Sequence, residues 1–318
     1  MRGPRMGHSI ARYTRRVHEA PPDLLTDTLG VRTRAWVYGD PAGAPLVLVH
    51  GFRGDHHGLE GIARSIGSAG PGIRAIIPDL PGFGETPAIP GRTHDLDLYG
   101  EWLRAFCEAA APGARAVLGH SYGSLVVSNA LSQGLDATSV TLVNPISAPA
   151  LEGPQAVLTR LAVAYYRIAD LLPERPARAL LGNPLIVRVM SEVMAKTRDR
   201  SLRTWIHGQH RAYFSRFSDT RTLLQAFRAS VSHTVGEYAA AFNSPTLLVV
   251  GDRDDITPLE AQLALHRRVP QSRLRIITGV GHLVHYEAVD QSTAVVRDFL
   301  VGAEGLSVEG VGAAGERA

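Results

Sequence analysis

Three things are scarce in this chain. Of its 318 residues only Cys107 is a cysteine, so no intramolecular disulfide can form, and no Cys/His spacing of the zinc-binding kind is present. Cys107 closes the run Trp102-Leu103-Arg104-Ala105-Phe106-Cys107, which reads as a helix, so a buried structural thiol is expected. No apolar run of about 18 residues occurs, so no transmembrane helix is expected. Residues 1–20 hold Arg2, Arg5, Arg12, Arg15 and Arg16 but no apolar stretch of signal-peptide length, so a cytoplasmic setting is the expectation. Lysine is almost missing: Lys196 is the only one among 33 basic residues, which fits a coding bias better than a function.

Hydrophobic residues make up 45% of the chain and charged residues 20%, enough for a sizeable core in one large α/β domain or two modest ones. The net charge of +3 is unevenly spread. Residues 148–235 hold 13 Lys/Arg and 6 Asp/Glu, net +7, and the remainder is net −4. Such a segment can attract an anionic substrate or a membrane surface, although solvated helix faces are the simpler explanation. No nucleic-acid-binding motif accompanies it, and nothing in the sequence signals an oligomeric state.

The apolar pattern alternates. Leu24–Gly30 and Val31–Asp40 read as an opening hairpin. Leu46–Val49, Ile73–Ile77, Ala114–Leu118 and Ser139–Val143 read as strands buried on both faces, separated by helices over 57–68, 95–110 and Ser124–Gln133. This predicts an α/β fold with a mostly parallel, doubly wound sheet. Between 148 and 235 the alternation stops, and four helices are expected: Ala156–Leu172, Pro184–Lys196, Leu202–Phe217 and Thr222–Val235. It resumes with Thr246–Val250, a helix over 258–269, the strand Leu274–Ile277 and a last helix over 284–301. The expected organisation is an Arg-rich extension over 1–23, a core of 24–147 and 236–302, a helical insertion at 148–235, and a disordered Gly- and Ala-rich tail at 303–318.

Within this pattern Gly119-His120-Ser121-Tyr122-Gly123 stands between a strand and a helix. G-x-S-x-G in that setting is a nucleophile elbow, whose sharp turn lifts the serine hydroxyl clear of the sheet. On its own the pentapeptide also arises by chance in a chain with 32 glycines. A serine hydroxyl needs an imidazole to take its proton and a carboxylate to orient that imidazole. In a parallel sheet both belong in loops at the carboxyl ends of strands. His282, in Gly279-Val280-Gly281-His282, fits the base. His285 is expected to be structural or exposed, His120 to point away from the nucleophile, and His207 and His210 to belong to the insertion. For the acid, Asp254 is preferred in Gly251-Asp252-Arg253-Asp254-Asp255. Asp252 can bond the loop's own amides, and Asp255 can face Arg253 or cap the next helix. The other place for an acid, the end of the strand before the insertion, holds Asn144.

The order Ser121, Asp254, His282 resembles that of the α/β-hydrolase superfamily. His50-Gly51-Phe52 is similar to that family's oxyanion loop, Asp79-Leu80-Pro81-Gly82-Phe83-Gly84 to its D-x-P-G-x-G turn, and residues 148–235 lie where it inserts a cap. Ser124 departs from the second glycine that many relatives carry after the elbow. The resemblance implies backbone oxyanion donors at Phe52 and Tyr122, no metal or organic cofactor, and a small-molecule substrate. It implies a serine hydrolase that cleaves an ester or thioester through an acyl-enzyme. Trp205, Tyr213 and Phe214 are candidate substrate-binding residues of the cap, although cap core would use the same aromatics. Two rival readings keep the fold: carbon–carbon bond hydrolysis or lyase chemistry with the same triad, and a small-molecule receptor without turnover. Peptidase activity would need an acidic patch for the substrate amine, and this segment is basic. Dehalogenase or epoxide hydrolase chemistry is disfavoured because those relatives place Asp at the elbow.

Overall fold

The computed structural model describes residues 24–68, 72–113, 115–149 and 156–304. The Arg-rich segment 1–23 lies outside them. So does the Gly- and Ala-rich tail, except for its first two residues, which end the last helix.

Among the described residues eight strands form one sheet in the order β1-β2-β4-β3-β5-β6-β7-β8. They are β1 (Leu24–Thr28), β2 (Val31–Gly39), β3 (Ala44–Val49), β4 (Ile73–Pro78), β5 (Ala116–His120), β6 (Ser139–Val143), β7 (Thr246–Gly251) and β8 (Ser272–Ile277). The β1–β2 hairpin and the β2–β4 pair are antiparallel and every other pair is parallel. The order reverses around β3, as it must when right-handed crossovers send helices to opposite faces.

Successive residues of β3 point to opposite faces of the sheet. Val47 and Val49 join a core with helices α2 (Leu96–Ala110) and α3 (Tyr122–Ser132), while Leu46 and Leu48 join one with α1 (His57–Ser68). Ala75 and Ile77 of β4, Leu118 of β5 and Val249 of β7 point to the α1 face, and Ile76, Val117 and Val250 to the other. Cys107 is fully buried on α2 among these side chains, and burial pushes its thiol up to about 12, which makes it inert.

Between β6 and β7 the described residues form five helices rather than four: α4 (Ala156–Asp170), α5 (Glu174–Leu181), α6 (Pro184–Met194), α7 (Arg200–Tyr213) and α8 (Thr220–Ser232), then a 3-10 turn at Val235–Ala241. The additional helix, α5, has Pro176 in its first turn, where the absent N–H would be unpaired in any case. Leu223 and Ala226 of α8 are fully buried in the same core as α2 and α3. The segment before α8 is stitched to the turn after β4, with Gly84 N donating to Arg216 O at 2.9 Å and Ser218 N to Gly82 O at 2.9 Å. After β7 come α9 (Leu259–Arg268), β8, α10 (Val284–Glu287) and α11 (Val289–Glu304). The expected single last helix is broken at Ala288, whose φ of −141° is not helical.

Candidate active site

The turn from β5 into α3 holds Ser121 at φ 52°, ψ −118°. A non-glycine residue there is strained, at a cost of order 1–3 kcal/mol that the surroundings must offset. Three contacts hold it: Ser121 N donates to Val143 O at 3.0 Å, Ser124 N donates to Ser121 O at 2.8 Å, and the Ser124 hydroxyl donates to the same oxygen. Ser124 Oγ also accepts from Ile146 N at 3.1 Å, so this departure from glycine ties the elbow to the segment just before the insertion. The flanking glycines are required by approach. A Cβ on Gly123 would lie 2.2 Å from Val49 O, and one on Gly119 would lie 2.5 Å from Gly123 O.

His282 arrives from the loop after β8. The Ser121 hydroxyl donates to its Nε2 at 2.8 Å, and its Nδ1–H donates to Asp254 Oδ2 at 2.7 Å. All three residues are buried. Asp254 also accepts from Ile256 N at 2.8 Å, Thr257 N at 3.1 Å and the Thr257 hydroxyl at 2.7 Å. Burial alone would raise its carboxyl, but His282 and the Thr257 bonds outweigh burial and hold it below the usual range. A carboxylate so held stays charged and fixes the imidazole in the tautomer with its lone pair toward Ser121.

The neighbouring aspartates have other partners. Asp252 accepts from Gly279 N at 2.6 Å, so it braces the loop leading to His282 rather than its own loop. Asp255 pairs with Lys196 on the insertion, neither facing Arg253 nor capping a helix as expected. Asn144 donates to Gly281 O at 2.8 Å and accepts from Gly251 N at 3.0 Å. It thereby joins the acid loop to the histidine loop. Sequence reasoning weighed Asn144 only as a missing acid; a side chain with both a donor and an acceptor at a strand end is the signal that it can bridge two backbones.

The elbow histidine also has a task that spacing does not reveal. His120 Nε2–H donates to the His282 carbonyl oxygen at 3.2 Å, and its ring lies 4.0 Å from that of His285. Burial, with the nearby His282, holds His120 down to about 3. His285 is buried beside it, not exposed, and is held well below the ordinary value by burial first and then by His120.

On the other side of Ser121 runs His50-Gly51-Phe52. His50 Nδ1–H donates to Gly51 O at 2.9 Å, and Leu80 N donates to His50 Nε2 at 3.0 Å. Burial keeps that ring neutral, as this bonding pattern needs. A Cβ on Gly51 would lie 3.3 Å from Ser121 Cβ, so the loop passes directly over the serine. The Tyr122 amide opens α3, where the first N–H groups have no intrahelical acceptor. Among the described residues neither the Phe52 nor the Tyr122 amide has a hydrogen-bond acceptor. The two rings meet edge-on at 6.2 Å.

The three aromatics named on the insertion pack against the core or against its loops. Trp205 meets Tyr286 edge-on at 5.2 Å, Tyr213 stacks on His57 at 3.7 Å, and Phe214 lies under the Arg53 guanidinium at 5.0 Å. Among the described residues one group of side chains could hold a metal ion: Asp55, His56 and His57, with ligand atoms within 4.8 Å of one another. Both Nδ1 atoms there already face carboxylates, His56 to Asp79 and His57 to Asp55, each at 3.0 Å.

A mostly parallel eight-stranded sheet with a serine in a strained turn between a strand and a helix is the α/β-hydrolase fold. The sequence matches the model of the alpha/beta hydrolase family over residues 46–297, and the chain belongs to that family. It is 24% identical to Lipase 1 of Psychrobacter immobilis, over 89% of this chain and 85% of that protein. It is 28% identical to the magnesium-chelatase 30 kDa subunit of Rhodobacter capsulatus, over 84% of this chain and 91% of that protein. Among solved structures it is similar to a thermophilic esterase of Thermogutta terrifontis, with a TM-score of 0.70 and 22% identity, covering 88% of this chain and 98% of that one. No described helix is long and apolar enough to cross a membrane.

Proposed function

We propose that this hydrolase cleaves an ester or thioester of a small, largely apolar substrate through an acyl-enzyme, in the cytoplasm. The observation that carries the reading is the line Asp254–His282–Ser121, closed by hydrogen bonds of 2.7 and 2.8 Å in a buried setting. Ser121 Oγ attacks the carbonyl carbon while His282 Nε2 takes its proton. The carbonyl oxygen gains a negative charge as the C=O bond opens. The free amides of Phe52 and Tyr122 are suited to receive it, each such donor being worth roughly 2.7–4 kcal/mol in the transition state. Collapse of the tetrahedral intermediate expels the alcohol or thiol, which collects the proton from His282. Water, deprotonated by His282, then adds to the acyl carbon and releases the acid and Ser121. Asp254 keeps its charge throughout and stabilises the imidazolium.

In this reading residues 148–235 act as a cap. Trp205, Tyr213 and Phe214 brace it against the core, which supports a packing role for them more than a substrate contact. Similarity to a lipase supports ester chemistry, and the serine at the elbow supports a covalent intermediate. A series of p-nitrophenyl esters of increasing chain length, with a fluorophosphonate probe, tests the proposal. Turnover of short esters and labelling of Ser121 are expected; absence of both would overturn it.

A further inference from the structure

Helices on a protein surface normally bury one stripe and turn a polar one outward. Two helices of the insertion do otherwise. On α6 the buried stripe is Val187 and Ser191, and the opposite side presents Leu185, Val189 and Val193 at i, i+4 and i+8. All three are exposed, Leu185 to 71%. On α4 the buried side is Tyr166 and Ala169, while Leu161 and Ile168, seven residues apart, face outward, followed by Leu171 at 85% exposure. These six are over half of the large apolar side chains that the described residues leave exposed. Scattered singly they would need no explanation, but spaced along two helix faces they do.

The charge around them has one dominant sign. Arg160, Arg167 and Arg175 are exposed on α4 and α5, and no carboxylate pairs with them among the described residues. Arg188 is exposed on α6 between Leu185 and Val189, paired with Glu192. The segment as a whole is net +7, against −4 for the rest of the chain. Apolar residues on one side of a helix with arginines beside them is the pattern of a helix that lies in a membrane interface. The apolar side chains enter the acyl boundary, while the arginines reach the headgroups.

We infer that the outward faces of α4 and α6 dock this protein on an anionic lipid surface. Each basic residue near such a surface contributes attraction that falls off within a Debye length, so binding depends on both lipid charge and salt. The inference does not depend on the chemistry at Ser121, because none of these residues belongs to that site.

The test is co-sedimentation of the full chain with sonicated vesicles of phosphatidylcholine alone and of phosphatidylcholine with phosphatidylglycerol. The Ser121→Ala protein is run beside the unmodified chain, so that hydrolysis cannot alter the vesicles. Binding is expected to the mixed vesicles and to weaken at least tenfold at high salt. L185S/V189S and L161S/I168S should each weaken it at least tenfold. R160Q/R167Q/R175Q should remove the preference for anionic lipid. Unchanged melting temperatures in the surface variants show that the fold is intact. The inference is overturned if neither vesicle is bound, or if binding survives all three sets, which would place the contact elsewhere on the chain. It is also overturned if light scattering shows a dimer that L185S/V189S dissolves, since the face would then serve a second copy.

Discussion

The Arg53 guanidinium donates to the carbonyl oxygen of Leu181 at 2.6 Å, across 128 residues of sequence. Arg53 follows Phe52 directly and is almost wholly buried. It also donates to Phe214 O at 3.0 Å, the Tyr166 hydroxyl at 3.1 Å and Ser215 Oγ at 3.3 Å, all on the insertion and none a carboxylate. One cation on the loop over the serine therefore holds three parts of the inserted helices. Arg53→Met leaves two carbonyls without a donor, each worth roughly 1–3 kcal/mol, partly offset by no longer burying a charge. A net loss of about 2 kcal/mol in urea unfolding is expected on that basis. Arg53→Lys should not restore it, because an ammonium cannot reach the same spread of acceptors. Unchanged stability in Arg53→Met would show that these bonds do not hold the insertion.

Ser121→Ala removes the proposed nucleophile. Ester turnover should fall by a factor on the order of 10⁶, with fluorophosphonate labelling abolished. Retained turnover would mean that another group attacks.

The three aspartates after β7 separate cleanly. Asp254→Asn keeps the shape but supports the wrong tautomer of His282, and a kcat loss of about 10⁴ is expected. Asp252→Asn weakens the bond to Gly279, and Asp255→Asn the pair with Lys196, so each should cost about 1 kcal/mol of stability and little activity. Measuring kcat and melting temperature for all three checks the assignment. A crippled Asp252 or Asp255 variant beside an active Asp254→Asn would reverse it.

Asn144→Asp is nearly isosteric, yet a carboxylate cannot donate to Gly281 O. Two acceptors would face each other in a buried site, at a cost of roughly 1–3 kcal/mol or more. Loss of stability together with reduced kcat is expected, because Gly281 precedes the proposed base. Full activity at full stability would show that the bridge does not position His282.

Stability should decline in acid. Burial holds His120 down to about 3 and His210 to about 4, so both stay neutral in the folded chain at pH values where an unfolded histidine is charged. The unfolded state therefore binds more protons between those values and the ordinary 6.5. Their contribution is full above 6.5 and is lost as pH falls toward the depressed values. Each pH unit crossed removes about 1.4 kcal/mol per histidine. His56, raised by Asp79 despite its burial, acts in the opposite sense and softens the slope. Urea unfolding at neutral pH and at about pH 5 should show a loss that is smaller in His210→Gln; equal losses would exclude His210 as a contributor.

The sheet was legible because buried parallel strands such as Leu46–Val49 leave unbroken apolar runs, and the order of its motifs pointed to the family. Local signals served less well where tertiary contacts decide. α5 hides behind Pro173, Pro176 and exposed polar residues, and the break at Ala288 carries no glycine or proline. Charged loop residues are expected in water, so nothing local announces that Arg53 is buried under the insertion. That Ser121, Asp254 and His282 stand in loops at strand ends could be read from the sequence. The bonds that His120 and Asn144 make to distant backbone atoms could not, since backbone acceptors leave no residue-type signal.

Ser121 and His282 are 161 residues apart, and every inserted helix lies between them. During synthesis the elbow emerges long before the residue that would arm it. A partly made chain can hold β3, β5 and α3 and still be chemically silent, because β7 and β8 must first pair beside β6. Contacts of such high sequence separation form late, after the entropy of closing the loop has been met. Reactivity toward a serine probe would therefore mark the end of folding rather than its beginning. Added to a refolding mixture, the probe would trail the recovery of helical signal.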